Sequence, residues 1–308
     1  VGSEMCIRDR SYIRNPSPTI KNVIIFVCKL HFALFYNFRC RLFRHLKLET
    51  QFYSMLSKHV TKIVQSLEKK KFRDKYNLFK IEGEKLVQEL LLSDLKINTL
   101  LAYPEWIARN RNSCTLPKII EVDAREMGLI SNFQSLPEVI ALASIPEYTY
   151  SEEEIIHSLS LVLNGIQDPG NLGTILRVAD WFGVRHIFCD RDCASVYNPK
   201  CVQASMGAVF RVKTHYTELL PLLQKFNTPD FPCYGTFLNG ENIYKVRLSR
   251  QGFIVMGNEG SGIRSEIEQL IQCKLTIPSF AHNAYSTESL NVGVATGIIL
   301  SEFKRNTE

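Results

Sequence analysis

Three polar turns in the second half of the chain carry side chains whose types and spacing could do chemistry. The first spans 164–183: Asn-Gly-Ile-Gln-Asp-Pro-Gly-Asn-Leu-Gly-Thr-Ile-Leu-Arg-Val-Ala-Asp-Trp-Phe-Gly. An apolar strand ends there, a Gly/Pro turn follows, and a helix opens near Asn171. Arg177 sits one and a half turns along that helix. The second is Gly257-Asn-Glu-Gly-Ser-Gly262, with three glycines around Glu259. Glycines after a strand let the backbone come close to a ligand. The third runs from Ile277-Pro278 to Ser289-Leu-Asn-Val-Gly-Val-Ala-Thr-Gly297 and starts a helix at Ser289 and Asn291. Its Gly293, Ala295 and Gly297 are smaller than helix propensity alone favours, which predicts close helix packing. A guanidinium, a carboxylate and amide groups at the ends of neighbouring strands could bind a polar ligand there. Taken singly, each stretch also fits an ordinary capped turn.

The elements that must position these turns read as α/β. Strands are expected over 159–163, 186–189, 208–212, 233–237, 253–256 and 274–277. Helices are expected over 171–182, 199–206, 263–271 and 290–303. Apolar strands alternating with helices predict a mainly parallel sheet covered on both faces. Ligands of such sheets sit at the carboxyl ends of the strands, where the three turns lie. Ahead of this domain, a helix over 57–71 capped by Ser57, strands over 78–81, 95–101 and 118–122, and a helix from Asp123 to 130 predict a smaller α/β domain. The expected divisions are 1–54, 55–144, a polar linker over 145–157, and 158–308.

Charge narrows the partners. The chain has 308 residues and a formal charge of +6. Nine basic and three acidic residues in 1–54 account for all of that excess. Phosphate contact depends on local potential rather than on a basic total. The run Lys69-Lys70-Lys71-Phe72-Arg73 is therefore the candidate phosphate contact, against the plainer alternative of a solvated helix face. Nine cysteines are scattered along the chain. Cys189, Cys193 and Cys201 are spaced wrongly for zinc, so no metal is expected. Free thiols fit a reducing, cytoplasmic setting. The early apolar run 23–36 is too short to span a bilayer, so no membrane is expected.

Residues 1–54 lack the periodicity of the rest. Residues 1–10 resemble a translated sequencing-adapter artefact, and we expect the native protein to start at Met55. The alternative is a basic arm.

In combination and order, the three turns resemble the motifs of the SpoU (TrmH) family of RNA ribose 2′-O-methyltransferases, within the SPOUT superfamily. The matching residues are Asn164, Asp168-Pro-x-Asn171-x-Gly173, Arg177-x-Ala179 and Phe182-Gly183. They continue with Gly257-x-Glu259-x-x-Gly262, and then Ile277-Pro278 and Ser289-Leu290-Asn291-Val292-x-Val294-Ala295. Residues 55–144 are similar to the smaller RNA-binding domain of many members.

The resemblance implies a C-terminal parallel sheet tied in a trefoil knot, a homodimer with its site completed across the interface, and S-adenosyl-L-methionine as methyl donor. It implies that Gly257, Glu259, Gly260, Ile277, Ser289, Leu290 and Asn291 hold the cofactor, with Leu290 on the adenine. Arg177, Asn171, Glu259, Ser289 and Asn291 inherit the catalytic positions. The family's proposal that the arginine is the base is awkward, because arginine is effectively always protonated. A cation that holds phosphate and steadies an alkoxide is the alternative. The substrate implied is RNA, ribosomal ahead of transfer; a resistance-type methylase and a non-catalytic RNA-binding relative are the other outcomes. Two departures stand out: ten residues separate Pro278 from Ser289, more than in many members, and Gly293 replaces a common Ser. A nicotinamide-binding sheet is disfavoured, because Glu259 inside Gly257-x-Glu-Gly-x-Gly262 would repel a pyrophosphate.

Overall fold

The computed structural model describes residues 56–110, 118–280 and 289–305, and the backbone of 52–53. The expectations for 1–51, for a start at Met55 and for the loop over 281–288 lie outside the described residues.

Each domain is built around one sheet. The small domain has strands β1 (Phe52–Tyr53), β2 (Leu78–Glu82), β3 (Ile97–Ala102), β4 (Lys118–Glu121) and β5 (Val139–Ser144) in the order β1-β4-β3-β5-β2. The pairs β1–β4 and β3–β4 are parallel; β3–β5 and β5–β2 are antiparallel. Helices α1 (Lys58–Ser66), α2 (Lys70–Tyr76), α3 (Glu84–Leu91), α4 (Pro104–Asn110) and α5 (Ala124–Ile130) complete it. Ser57 caps α1 by accepting from the Val60 N–H, and Asp123 with Glu126 forms a capping box on α5. The expected single helix over 57–71 is two helices, because Lys69 has an extended backbone between them. The sheet also reaches back to Phe52, ahead of the expected boundary at 55.

Within 145–157, Ser151 and Glu154 form a capping box that opens α6 (Glu152–Ile156). The second domain then lays down β6 (Leu159–Asn164), β7 (His186–Cys189), β8 (Lys213–Tyr216), β9 (Cys233–Asn242), β10 (Gly252–Gly257) and β11 (Cys273–Thr276). All pairs are parallel, in the order β11-β9-β10-β6-β7-β8. The helices are α7 (Pro169–Trp181), α8 (Pro199–Ser205), α9 (Leu219–Phe226), α10 (Ser265–Glu268) and α11 (Val292–Arg305). The strand expected over 208–212 is instead a 3-10 turn, Ala208–Phe210, and the strand proper is β8. A short apolar run cannot distinguish the two by periodicity.

The chain leaves β6 towards β7 and β8 and later builds β10, β9 and β11 on the other side. Its switch point therefore lies between β6 and β10, the place where open parallel sheets bind ligands. From the far edge at β11, the chain returns to set α11 against α7 and β10. The knot implied by the resemblance would be tied by that return.

The two domains share one apolar core. Phe79, Leu86 and Leu90 of the small domain cluster with Tyr197, Val202 and Val209 of the second. The Phe79 and Tyr197 rings lie 4.8 Å apart. Burying each such side chain contributes roughly 1.5–3 kcal/mol, which makes the pair a fixed unit.

Candidate functional site

The first turn is held from both ends. Asp168 caps α7: one carboxylate oxygen accepts from the Asn171 N–H at 2.8 Å, and the other accepts from Lys200 Nζ at 2.8 Å. The lysine first, then the backbone N–H, hold the Asp168 carboxyl below its ordinary range. Asn164, buried at the end of β6, donates to Asp190 Oδ2 at 2.6 Å and accepts from the Arg264 N–H at 2.8 Å. The Arg264 guanidinium returns to Asp190 at 3.3 Å. The ends of β6 and β7 and the exit of the second turn are thus one hydrogen-bonded unit.

The second turn closes on itself through Asn258. Its side-chain oxygen accepts from the Gly260 and Ser261 N–H groups at 2.8 and 3.0 Å, and its amide donates to the Gly165 carbonyl at 2.7 Å. A side chain at position 257 would not fit, because a Cβ there would come within 2.6 Å of the Gly262 carbonyl carbon. At the third turn, Asn291 caps α11 by accepting from the Gly293 N–H at 3.0 Å.

One asparagine joins all three turns. Asn171 donates its amide to Glu259 and accepts from the Asn291 amide at 2.9 Å. Beside this junction an open cleft of about 1,020 Å³ runs between β9, β10, β11 and the start of α11. Six of the seven residues expected to hold the cofactor line it: Gly257, Glu259, Gly260, Ile277, Ser289 and Leu290. Asn291 does not line it but holds Asn171. Met256, Val292, Ala295 and Ile299 give the cleft an apolar side. Glu259 and Glu268 stand on it as carboxylates, and Lys274 is paired with Glu268. A mostly apolar cleft with a few convergent polar groups suits a flat base, and a carboxylate suits a sulfonium cation. The residues present therefore fit S-adenosylmethionine.

Arg177 is placed differently. It is exposed on α7, does not line the cleft, and makes no hydrogen bond or ion pair with a described residue. Asn171 bonds both Glu259 and Asn291, and no hydrogen bond joins any of the three to Arg177. Trp181, one turn further on the same face of α7, is 85% exposed, and Val294 on α11 is 53% exposed.

The basic run is divided. Lys69, Lys70 and Lys71 are exposed, whereas Arg73 is buried. Its guanidinium donates to the Leu67 and Glu68 carbonyls at 2.8 and 2.9 Å, closing the end of α1. Arg73 is therefore structural, and the candidate RNA contact narrows to the three lysines. Among the described residues, no three His, Cys, Asp or Glu side chains gather as a cation site. A hydrogen bond with Cys193 and then burial push the Cys189 thiol up, and burial does the same to Cys201. Among the described residues, no helix is long and apolar enough to cross a membrane.

Sequence reasoning placed Asn164 in a motif without giving it a role, and missed Asn258, Asp190 and Arg264. A signal existed for the two asparagines. A buried asparagine must spend its amide on hydrogen bonds, and an asparagine before a glycine turn tends to close it.

Comparison with known proteins agrees with this geometry. The model of the SpoU rRNA methylase family matches residues 158–301, and that of an MRM3-like substrate-binding domain matches 58–141. The 23S rRNA (guanosine(2553)-2′-O)-methyltransferase RlmP of Bacillus subtilis is 27% identical over 238 residues, spanning 77% of this chain and 92% of the other. A TrmH-family protein from Porphyromonas gingivalis superposes with a TM-score of 0.73 at 35% identity, covering 82% of this chain and all of the other. An AdoMet-bound rRNA methyltransferase from Sinorhizobium meliloti superposes with a TM-score of 0.69 at 26% identity, covering 84% of this chain and 98% of the other.

Proposed function

The chain belongs to the SpoU (TrmH) family of RNA methyltransferases, and from that membership and the geometry of the three turns we propose that it methylates a ribose 2′-hydroxyl of ribosomal RNA. The observation that carries the reading is the Asn291–Asn171–Glu259 junction beside the cleft. It brings together side chains up to 120 residues apart.

Bound S-adenosylmethionine supplies an electrophilic methyl group. The protein has to position the acceptor and manage its proton. Gly257, Gly260 and Ile277 would offer backbone to the cofactor, Leu290 would pack on its base, and Glu259 would suit its positive charge. Ser289 sits at the mouth of the cleft, beside the acceptor. Arg177 acts as a fixed cation: it grips the phosphate next to the target ribose and stabilises the oxygen as its proton leaves.

Arg177 does not line its own chain's cleft, which supports a site completed by a second copy. The uncovered face of Arg177, Trp181 and Val294 supports a homodimer that brings Arg177 to the partner's cofactor. A cytoplasmic ribosome is the setting that goes with this reading, as for the bacterial relative. Transfer RNA is the alternative acceptor, and a non-catalytic RNA binder is the alternative function.

The test is methyl transfer from radiolabelled cofactor to unmodified rRNA, followed by alkaline hydrolysis. A 2′-O-methyl group blocks cleavage of the adjacent phosphodiester. The label is expected in alkali-resistant dinucleotides. Label in mononucleotides would mean base methylation, and cofactor binding without transfer to any RNA would mean a non-catalytic protein.

A further inference from the structure

A second cleft, of about 330 Å³, lies between the small domain and α8, and no residue of the three turns lines it. Its size falls at the lower end of small-molecule sites, which run from about 300 to 1,000 Å³. The floor is charged and fixed. Lys80 is buried, with its Nζ 2.9 Å from Glu68, 2.7 Å from Glu82 and 3.1 Å from the Ile130 carbonyl. Glu82 also accepts from Ser131 Oγ at 2.7 Å and the Asn132 N–H at 3.2 Å. An apolar floor would stabilise the fold as well or better. With the Lys80 donors all spent, the half-exposed Glu68 carboxylate is the group that this floor presents to a ligand.

The walls indicate which ligand. Phe133 lines the cleft and is 38% exposed, an aromatic face available for stacking. Glu68 stands beside it with a carboxylate that accepts from the Asn132 amide and Lys80. The exposed Lys69, Lys70 and Lys71 follow Glu68 directly in the chain. On the opposite wall stands Lys200, whose ammonium bonds the Asp168 cap of the first turn.

We propose that this interdomain cleft is a subsite for one unpaired nucleotide next to the methylated ribose. The base stacks on Phe133 and points its exocyclic amine at the Glu68 carboxylate, which favours adenine, guanine or cytosine over uracil. The two carboxylates repel phosphate, so the base enters while the backbone runs over Lys69 to Lys71 and Lys200. Because Lys200 also holds Asp168, filling the subsite is linked to the turn that carries Asn171. The proposal rests on the RNA reading above and adds where the strand runs and what it selects.

The experiment measures binding of fluorescein-labelled single-stranded dodecamers of A, C and U to the full chain at low salt, with methyl transfer to rRNA and cofactor affinity measured in parallel. A and C strands are expected to bind more tightly than U. Phe133→Ala is expected to weaken A and C binding roughly tenfold, as loss of one stacked base does, with cofactor affinity unchanged and Phe133→Trp restoring it. Glu68→Gln is expected to erase the preference over U. Unchanged RNA affinity in Phe133→Ala, while wild type still methylates rRNA, overturns the subsite alone. Failure of wild type to methylate any RNA overturns the function, whatever the binding shows. Loss of cofactor affinity in Phe133→Ala would show that the residue supports the fold, and would also overturn the subsite.

Discussion

The side-chain amide of Asn291 donates to the side-chain oxygen of Asn171 at 2.9 Å, which leaves the Asn171 amide to bond Glu259. Both ends of Asn171 are therefore used, and only a side chain that donates and accepts can stand there. Asn171→Asp would lose the donor and set a second carboxylate against Glu259. It is expected to lower kcat/KM by at least tenfold, because a hydrogen bond to a charged group contributes roughly 1.5–3 kcal/mol. Asn171→Ala should be less damaging, since it removes the bond without adding repulsion. Steady-state methyl transfer checks the order; Asp milder than Ala would contradict it.

Arg177 does not line the cleft of its own chain. Arg177→Ala is therefore expected to leave the cofactor Kd unchanged while lowering turnover by about 10²–10³, the scale of removing one group that stabilises a forming oxyanion. Arg177→Lys should recover part of the rate, because charge survives and the planar fork does not. Calorimetry and single-turnover transfer separate the two effects.

The exposed Trp181 is the strongest sign of a missing neighbour. Trp181→Glu is expected to give a monomer by light scattering, with cofactor binding retained and transfer lost. A variant that remains dimeric, or is monomeric yet active, would remove the case for a shared site.

Much of this site was legible from residue order. The three turns lie at strand ends as the motifs put them, and six of the seven residues expected at the cofactor line one cleft, because strand-end turns in a parallel sheet face one side. The Asn171 junction was not legible, since periodicity carries no information on which of several polar ends will meet across 120 residues. The basic run showed the same limit. Composition treats Lys71 and Arg73 alike, yet Arg73 is buried against the end of α1. Small residues on the last helix were read as a packing stripe. Gly293 fits, with Thr174 pressed against it, whereas a Cβ at Gly297 would meet nothing closer than 4.0 Å.

That contact makes the departure at position 293 testable. A Cβ there would lie 2.8 Å from Thr174 Cγ2. Gly293→Ser is expected to destabilise by about 1–3 kcal/mol, the usual cost of overpacking. Thr174→Ser, which removes that methyl, should recover part of the loss in Tm.

Acid stability should depend on a buried histidine pair. The His186 and His215 rings stack with centroids 5.4 Å apart and Nδ1 to Nε2 at 3.1 Å. Tyr148 and Tyr150 cover His215, and Lys213 and Glu154 stand nearby. Burial first, then His186, push His215 from 6.5 down to about 4. The fold thus favours the neutral ring. Its contribution is complete above the unfolded value and is lost as pH falls from about 6.5 to about 4. The loss is on the order of 3 kcal/mol. Urea midpoints across that window should fall for wild type and stay flatter for His215→Phe.

The central claim is tested most directly by mapping ribose methylation across ribosomal and transfer RNA in the native host with the gene deleted. The account predicts one or more missing 2′-O-methyl marks in ribosomal RNA, restored by wild type and not by Arg177→Ala. A complete set of marks in the deletion strain, or restoration by Arg177→Ala, would contradict it.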